Sequence, residues 1–297
     1  MTLNMLLGAL SQGLLWGIMA IGVYITYRVL NYADLTAEGS FTLGAAVAAR
    51  LITSGTFDPL TSTIIAVVSG VLAGIVTGFL HTVLKVPPLL SGILSMTALY
   101  SINLRIMGMA NIPLFRDTAT LMTQVGDFFG ITTRHHQSII VGLIFVAIVI
   151  LLLTLFFNTE LGYVLRATGD NEAMVKAQGV STKKMKILGL MIGNACVALS
   201  GALVFQWQGF ADINMGIGTI VVGIASVIIG EVIFNDKNSR FSLVAVVMGS
   251  IFYRIIIAFV LGRGINPNDF RLISALMLVL ALSLPLIKGK VREYVKL

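Results

Sequence analysis

The sequence predicts an all-α, polytopic membrane helical bundle with about eight to ten transmembrane segments. Three observations carry that expectation. Of the 297 residues, 57% are hydrophobic, and only 11% are Asp, Glu, Lys or Arg, against roughly 25% in a soluble domain. The mean hydropathy is +0.96, more apolar surface than a soluble core of this length can hide. The apolar residues fall in runs near the roughly 20 residues that cross a bilayer core.

Nine such runs lie near 5–27, 33–54, 61–84, 88–109, 138–157, 187–208, 214–234, 241–262 and 269–287. The first lacks a basic flank ahead of it and reads as a true helix rather than a removable signal. The second and seventh are weaker, being rich in Gly, Ser and Thr, and either spans or re-enters. The whole of 1–297 reads as one transmembrane domain. Its net charge of +7 fits the positive-inside rule and calls for no nucleic acid. With the N-terminus outside and every segment spanning, 13 of the 20 Lys and Arg fall on the cytoplasmic side, among them Arg28, Lys85, Lys237, Arg240, Lys288, Lys290, Arg292 and Lys296. The C-terminus is then cytoplasmic, in a multi-pass protein of the cell membrane. Arg116, Asp117, Asp127 and Arg134 mark an external loop near 110–137 that has room for a short helix.

Two segments resemble each other. DLTAEGSFTLGAA over 34–46 and DINMGIGTIVVGIA over 212–225 each open on Asp, then place Gly before Ser or Thr (Gly39-Ser40, Gly218-Thr219), with a second Gly at 44 or 223. Weak internal symmetry with Gly-interrupted segments is the trace of a transporter built from inverted repeats, with broken helices at the pathway. Generic small-residue packing is the alternative. Glu38, Ser40, Phe41, Met96, Met215 and Thr219 are the candidate pathway residues, Glu38 foremost because intramembrane charge is costly and faces a cavity or a partner. Tyr100 also suits an apolar solute. Glu231 and Arg254 form a structural pair or lie near the interface. Cys196 is alone, and His135 and His136 are adjacent, expected in a polar loop, without metal-site spacing. No catalytic or metal-binding set is expected, and no cofactor.

The longest charged stretch is 158–186, a loop that orientation places in the cytoplasm. Asp170 reads as an N-cap, Glu172 suits the positive start of a helix, and Gly179 can take the left-handed C-cap. A helix of about two turns over 171–178 is expected, its apolar face made of Ala173, Met174 and Ala177 with Val180 just beyond. Ser181 or Thr182 caps the next span.

The stretch LGYVLRATGDNEAMVKAQGVSTKKMKILGLMIGNACVALSGAL resembles the cytoplasmic loop and following helix of ATP-binding-cassette importer permeases of the branched-chain amino acid and ribose type. Asp34-Leu35-Thr36 followed by Gly39-Ser40 is similar to that family's D-L-S-V-G-S segment, with Glu38 as an added residue. The resemblance covers most of the chain and is strongest over 158–235. It implies that the short helix is a coupling helix docking on a separate ATPase, with Arg166, Asp170, Glu172, Ala173, Met174, Ala177, Gly179 and Val180 in the coupling positions. It also implies an external or periplasmic solute-binding protein, a permease homodimer, and a small solute, with aromatic amino acids such as tryptophan indicated by the nearest subgroup. The chain contains no G-x-x-x-x-G-K-[ST], so ATP would be bound by the partner and the chain is not itself an enzyme. An ion-gradient carrier using Glu38 or Glu231, or a family member carrying a sugar or nucleoside, are the alternatives.

Overall fold

The computed structural model describes residues 3–115, 118–234, 239–263, 269, 272–279 and 283. Helix α1 (Leu3–Val23) continues into a π-helical segment, Tyr24–Val29. Asn31, at φ 53°, then turns the chain into α2 (Thr36–Thr53). In α3 (Pro59–Thr82), Pro59 supplies the helical φ of the first turn, and the Asp58 side chain accepts from Leu60 N–H. Helix α4 (Pro88–Met107) also opens on Pro and is closed by Gly108 in the left-handed region. Strand β1 (Asn111–Pro113) and α5 (Leu121–Phe129) fill the expected loop. There follow α6 (Arg134–Phe157), α7 (Glu160–Asp170), α8 (Glu172–Ala177), α9 (Thr182–Gln208), β2 (Phe210–Asp212), α10 (Thr219–Phe234) and α11 (Ser239–Leu261). Residues 272–279 are helical as well.

Among the described residues, six helices are long and apolar enough to cross a membrane: 3–29, α3, α4, α6, α9 and residues 242–261 of α11. The second and seventh segments, weaker in the sequence, are the shorter α2 of 18 residues and α10 of 16. The ninth segment lies outside the described residues except for 269, 272–279 and 283. Arg116, Asp117, Lys237, Arg271 and the basic residues from Lys288 onward also lie outside them, as does the side chain of Arg240.

Helix α9 is the centre of the bundle and packs against α1, α2 and α3, while α11 covers α1 and α10. Small residues permit the closest of these approaches. A Cβ on Gly44 of α2 would collide with the Ala198 carbonyl of α9, and one on Gly201 of α9 would collide with the Phe41 carbonyl of α2. Dispersion contact over such bare backbone is what holds apolar helices together where the solvent is equally apolar. Hydroxyls add ties to backbone carbonyls: Ser200 Oγ donates to Leu15 O at 2.8 Å, and Ser250 Oγ to Gly13 O at 3.0 Å. Strands β1 and β2 pair antiparallel, Ile112 opposite Ala211, joining the exits of α4 and α9.

Three expectations change here. The interruption ahead of α2 falls at residues 30–35, and the helix runs unbroken through Gly39-Ser40, because those glycines serve close packing rather than a turn. His135 and His136 stand in the first turn of α6, not in a loop. Glu231 and Arg254 do not pair. Glu231 Oε1 accepts from Arg28 Nε at 2.8 Å, while Arg254 donates to Gln12 Oε1 at 3.2 Å with its guanidinium 3.9 Å from the centre of the Trp16 ring. The two charges sit on different neighbours because α11 packs along α1.

Candidate functional site: a surface knob and a cavity at the helix breaks

The knob is α7 and α8. Thr159 caps α7, its hydroxyl accepting from Gly162 N–H at 3.3 Å. Helix α7 lies against the end of the π-helical segment: a Cβ on Gly169 would strike the Val29 carbonyl. Arg166 donates to Phe157 O at 2.6 Å and stands over the Phe157 and Tyr163 rings. It thereby occupies the last carbonyl of α6 and braces the α6–α7 corner.

Helix α8 forms where the sequence placed it, but its cap is Asn171, whose Oδ1 accepts from Met174 N–H at 3.0 Å. Asp170 is instead the last residue of α7. Both residue types cap well, and the choice falls to Asn171 because the backbone of α7 stays helical through Asp170. Gly179 holds φ +80°, the expected left-handed position. The buried residue of α8 is Val175, 2% exposed, whereas Ala173, Met174 and Ala177 face outward and Val180 is half-buried. The helix is thus anchored by one aliphatic side chain and offers the other three small or flexible ones to the surface.

A polar clamp fastens the knob to the bundle. Glu172 Oε2 accepts from Lys186 Nζ at 2.7 Å, and Oε1 accepts from the Thr182 hydroxyl at 3.0 Å. Ser181 occupies the N-cap of α9 without a side-chain capping bond. Lys186, followed by Thr182 and the nearby His81, holds the Glu172 carboxyl below its ordinary pKa against the opposing cost of partial burial. Lys186 Nζ also approaches His81 Nε2 at 3.5 Å, and the His81 ring packs edge-on to Tyr32 at 5.2 Å. The clamp therefore reaches the break between α1 and α2.

That break and the one before α10 share a device. Asp34 Oδ1 accepts from Thr36 N–H at 3.0 Å, and Asp212 Oδ1 accepts from Asn214 N–H at 2.8 Å. The two similar segments meet directly: Glu38 Oε1 accepts from Gly218 N–H at 2.9 Å, just ahead of α10. A carboxylate suits that place, since the helix start presents unpaired N–H groups and positive potential. Gly218 has φ +84°, so the chain turns there without a Cβ penalty. Behind the joint, Asn194 of α9 donates to Asp34 Oδ2 at 2.7 Å and accepts from Ser40 Oγ at 2.6 Å.

A cavity of about 280 Å³ opens beside this joint, lined by Glu38, Gly39, Thr42, Met96, Thr97, Tyr100, Ser101, Asn103, Ile213 and Ile217. Of the six candidate pathway residues, Glu38 and Met96 line it. Ser40 is buried against Asn194, and Phe41 is buried beside Trp16. Thr219 is buried with its hydroxyl on Gly216 O, and Met215 packs on the core. Ser40, Phe41 and Thr219 lie off the cavity because α2 and α10 turn those faces toward neighbouring helices, and Met215 lies off it in the turn between β2 and α10. Asn103 is a lone amide within the apolar run near 88–109; Thr42, Thr97 and Ser101 carry no sequence signal that separates them from ordinary span residues.

A family model described as branched-chain amino acid transport system / permease component matches residues 5–282. The chain is 44% identical over 274 residues to the tyrosine transport system permease protein of Clostridioides difficile (strain R20291), covering 92% of this chain and 89% of that protein. It is 36% identical over 285 residues to the uncharacterized protein RP368 of Rickettsia prowazekii (strain Madrid E), 95% and 98% of the two chains. At 24% identity over 268 residues it is similar to the ribose import permease protein RbsC of Escherichia coli (strain K12), with 89% and 78% covered. No solved structure matches.

Proposed function

The chain belongs to the branched-chain amino acid transport system permease family, and from that membership we propose that it carries an amino acid, aromatic in character, into the cell as a homodimer driven by separate ATPase subunits docked on α8. The observation that carries the ATPase docking is the outward face of α8. Ala173, Met174 and Ala177 are exposed while Val175 and Glu172 fix the helix from behind. A capped helix of this kind, rigid at its base and apolar at its tip, suits a groove on a partner and has no use in an ion-coupled carrier. Nucleotide-driven closure of the two ATPases would draw the two knobs together. The Glu172–Lys186 clamp would pass that movement into α9, whose Asn194 holds the break at Asp34 and Ser40. The aromatic solute follows the relative that is named for tyrosine transport. An external binding protein would deliver it to the face opposite α8, and the orientation set by the basic residues puts α8 in the cytoplasm.

The test is co-purification and uptake in cells expressing the complete import system. Ala173→Arg places a charge in the docking face, and Gly179→Val puts a β-branched residue at φ +80°. Each is expected to abolish ATPase capture and uptake while membrane insertion stays at the wild-type level. Normal ATPase capture and normal uptake in both variants would show that α8 is not the docking element.

A further inference from the structure

Helix α5 bears a single apolar stripe. Leu121, Met122, Val125, Phe128 and Phe129 fall at the i, i+1, i+4, i+7 and i+8 positions of one helical face. The first two turns of that face are covered by protein: Leu121 and Met122 are buried, and Val125 packs on the main core. The last turn is bare among the described residues. Phe128 is 82% and Phe129 56% exposed, their rings edge to face with centroids 5.0 Å apart. A contiguous apolar patch of this kind marks a surface that meets protein or membrane. Its position separates the two. Leu121 N–H donates to Gln206 Oε1 at 2.9 Å, and Gln124 Nε2 donates to Asp58 Oδ1 at 2.7 Å. Gly126 lies so close to the Gln137 amide that a Cβ would strike it. Gln206 is in the last turn of α9, Gln137 is in the first turn of α6, and Asp58 is the N-cap of α3. All three are span ends on the face opposite α8, since α7 and α8 connect the other ends of α6 and α9. Helix α5 is thus fixed across those span ends, at the depth where they leave the bilayer core, and its bare turn stands at that depth too.

We propose that α5 is an interfacial membrane anchor whose partner is phospholipid: Phe128 and Phe129 insert between the headgroups and acyl chains of the leaflet opposite α8. A helix lying in the membrane plane buries its apolar face in that boundary, to about 5–10 Å. Here the protein covers two turns of the face and lipid completes the third. Phe57 and Leu60, which flank Asp58, are also exposed at this level, so the apolar rim continues onto the start of α3. Asp127 is the only charged residue of α5, so insertion draws on apolar burial and needs no anionic lipid. A soluble docking protein would leave the two rings in water between encounters, whereas lipid covers them throughout. The anchor is independent of which solute is carried and of what docks on α8.

The test places a nitroxide on Phe128→Cys or Phe129→Cys in a Cys196→Ala background, with the full-length permease in nanodiscs of phosphatidylcholine. Collision with oxygen, which concentrates in lipid, is compared with collision with a neutral nickel chelate that stays in water. Leu151→Cys, on an exposed face within α6, and Lys176→Cys, on the surface of α8, give the lipid and water references. Oxygen is expected to dominate at 128 and 129, as at 151, with a shallower depth than at 151. Nickel dominating at both positions, as at 176, overturns the anchor and leaves the rings to a protein partner. A second measurement needs no label. Because both rings are exposed, Phe128→Ser with Phe129→Ser should fold, and in the same nanodiscs its amide protection over 125–129 should fall about tenfold. Phe128→Trp with Phe129→Trp, which keeps rings suited to the interface, should retain that protection. Unchanged protection in the serine pair overturns the proposal.

Discussion

Glu172 joins two elements through one side chain, with an oxygen on Lys186 and an oxygen on Thr182. Its pKa is depressed in the folded protein, chiefly by the Lys186 bond. Its contribution is therefore complete above the ordinary carboxylate range and is lost as pH falls through the lowered folded value. Protection factors of the α8 amides, relative to the intrinsic exchange rate at each pH, should fall on acidification through that window, and Glu172→Gln should show low protection at every pH. Protection factors in the wild type that do not change with pH would remove the clamp. Glu38 is a residue whose sequence reading and position differ in kind. It was expected on a pathway and does line the cavity, but it also supplies the acceptor for the chain just ahead of α10. Glu38→Ala is accordingly expected to alter uptake while ATPase capture persists. It should also lower thermal stability more than Glu38→Gln does. Which of Asp170 and Asn171 caps α8 was not legible, since adjacent residues of equal capping ability are separated only by where the previous helix ends.

At the scale of elements, α9 shows what apolar periodicity reveals and conceals. Its existence and length follow from the sequence, because 187–208 is apolar and Gly209 closes it at φ +85°. Its central place does not, since a helix apolar on all sides is compatible with either lipid or protein around it. The small residues Gly44 and Gly201 settle that place by letting α2 and α9 touch backbone to backbone. Gly44→Val is expected to push the two helices apart and lower the melting temperature of the purified permease by several degrees, with insertion unaffected; an unchanged melting temperature would mean the contact is not structural. Helix α7 escaped the sequence reading altogether. Gly162 and Gly169 lie within it, and glycine disfavours isolated helix by about 1 kcal/mol each, yet both sit where a neighbouring backbone leaves no room for a side chain. Tertiary contact outweighs propensity there.

At the scale of the molecule, Asn194 links the knob-bearing helix to the break between α1 and α2. It lies two turns beyond Lys186 on α9 and donates to the buried Asp34. Replacing it with Leu removes a buried hydrogen bond, worth about 0.5–1.5 kcal/mol, and leaves Asp34 without the Asn194 donor in the bundle interior. Asn194→Leu should therefore reduce both folded yield and the dependence of uptake on ATP, whereas Asn194→Gln should recover part of the yield. Full uptake in Asn194→Leu would show that α9 does not transmit through this residue. The fold class, the approximate spans, the family and the position of α8 came from the sequence alone, because hydropathy, caps and breakers act locally along the chain. The meeting of Glu38 with Gly218, the bond from Asn103 to the Gly39 carbonyl, the burial of Ser40, Phe41 and Thr219, and the separate partners of Glu231 and Arg254 were decided only in three dimensions. Each depends on which face a helix turns toward a neighbour, and in helices apolar nearly all round that rotation is fixed by packing against other helices and leaves little periodic trace in the sequence.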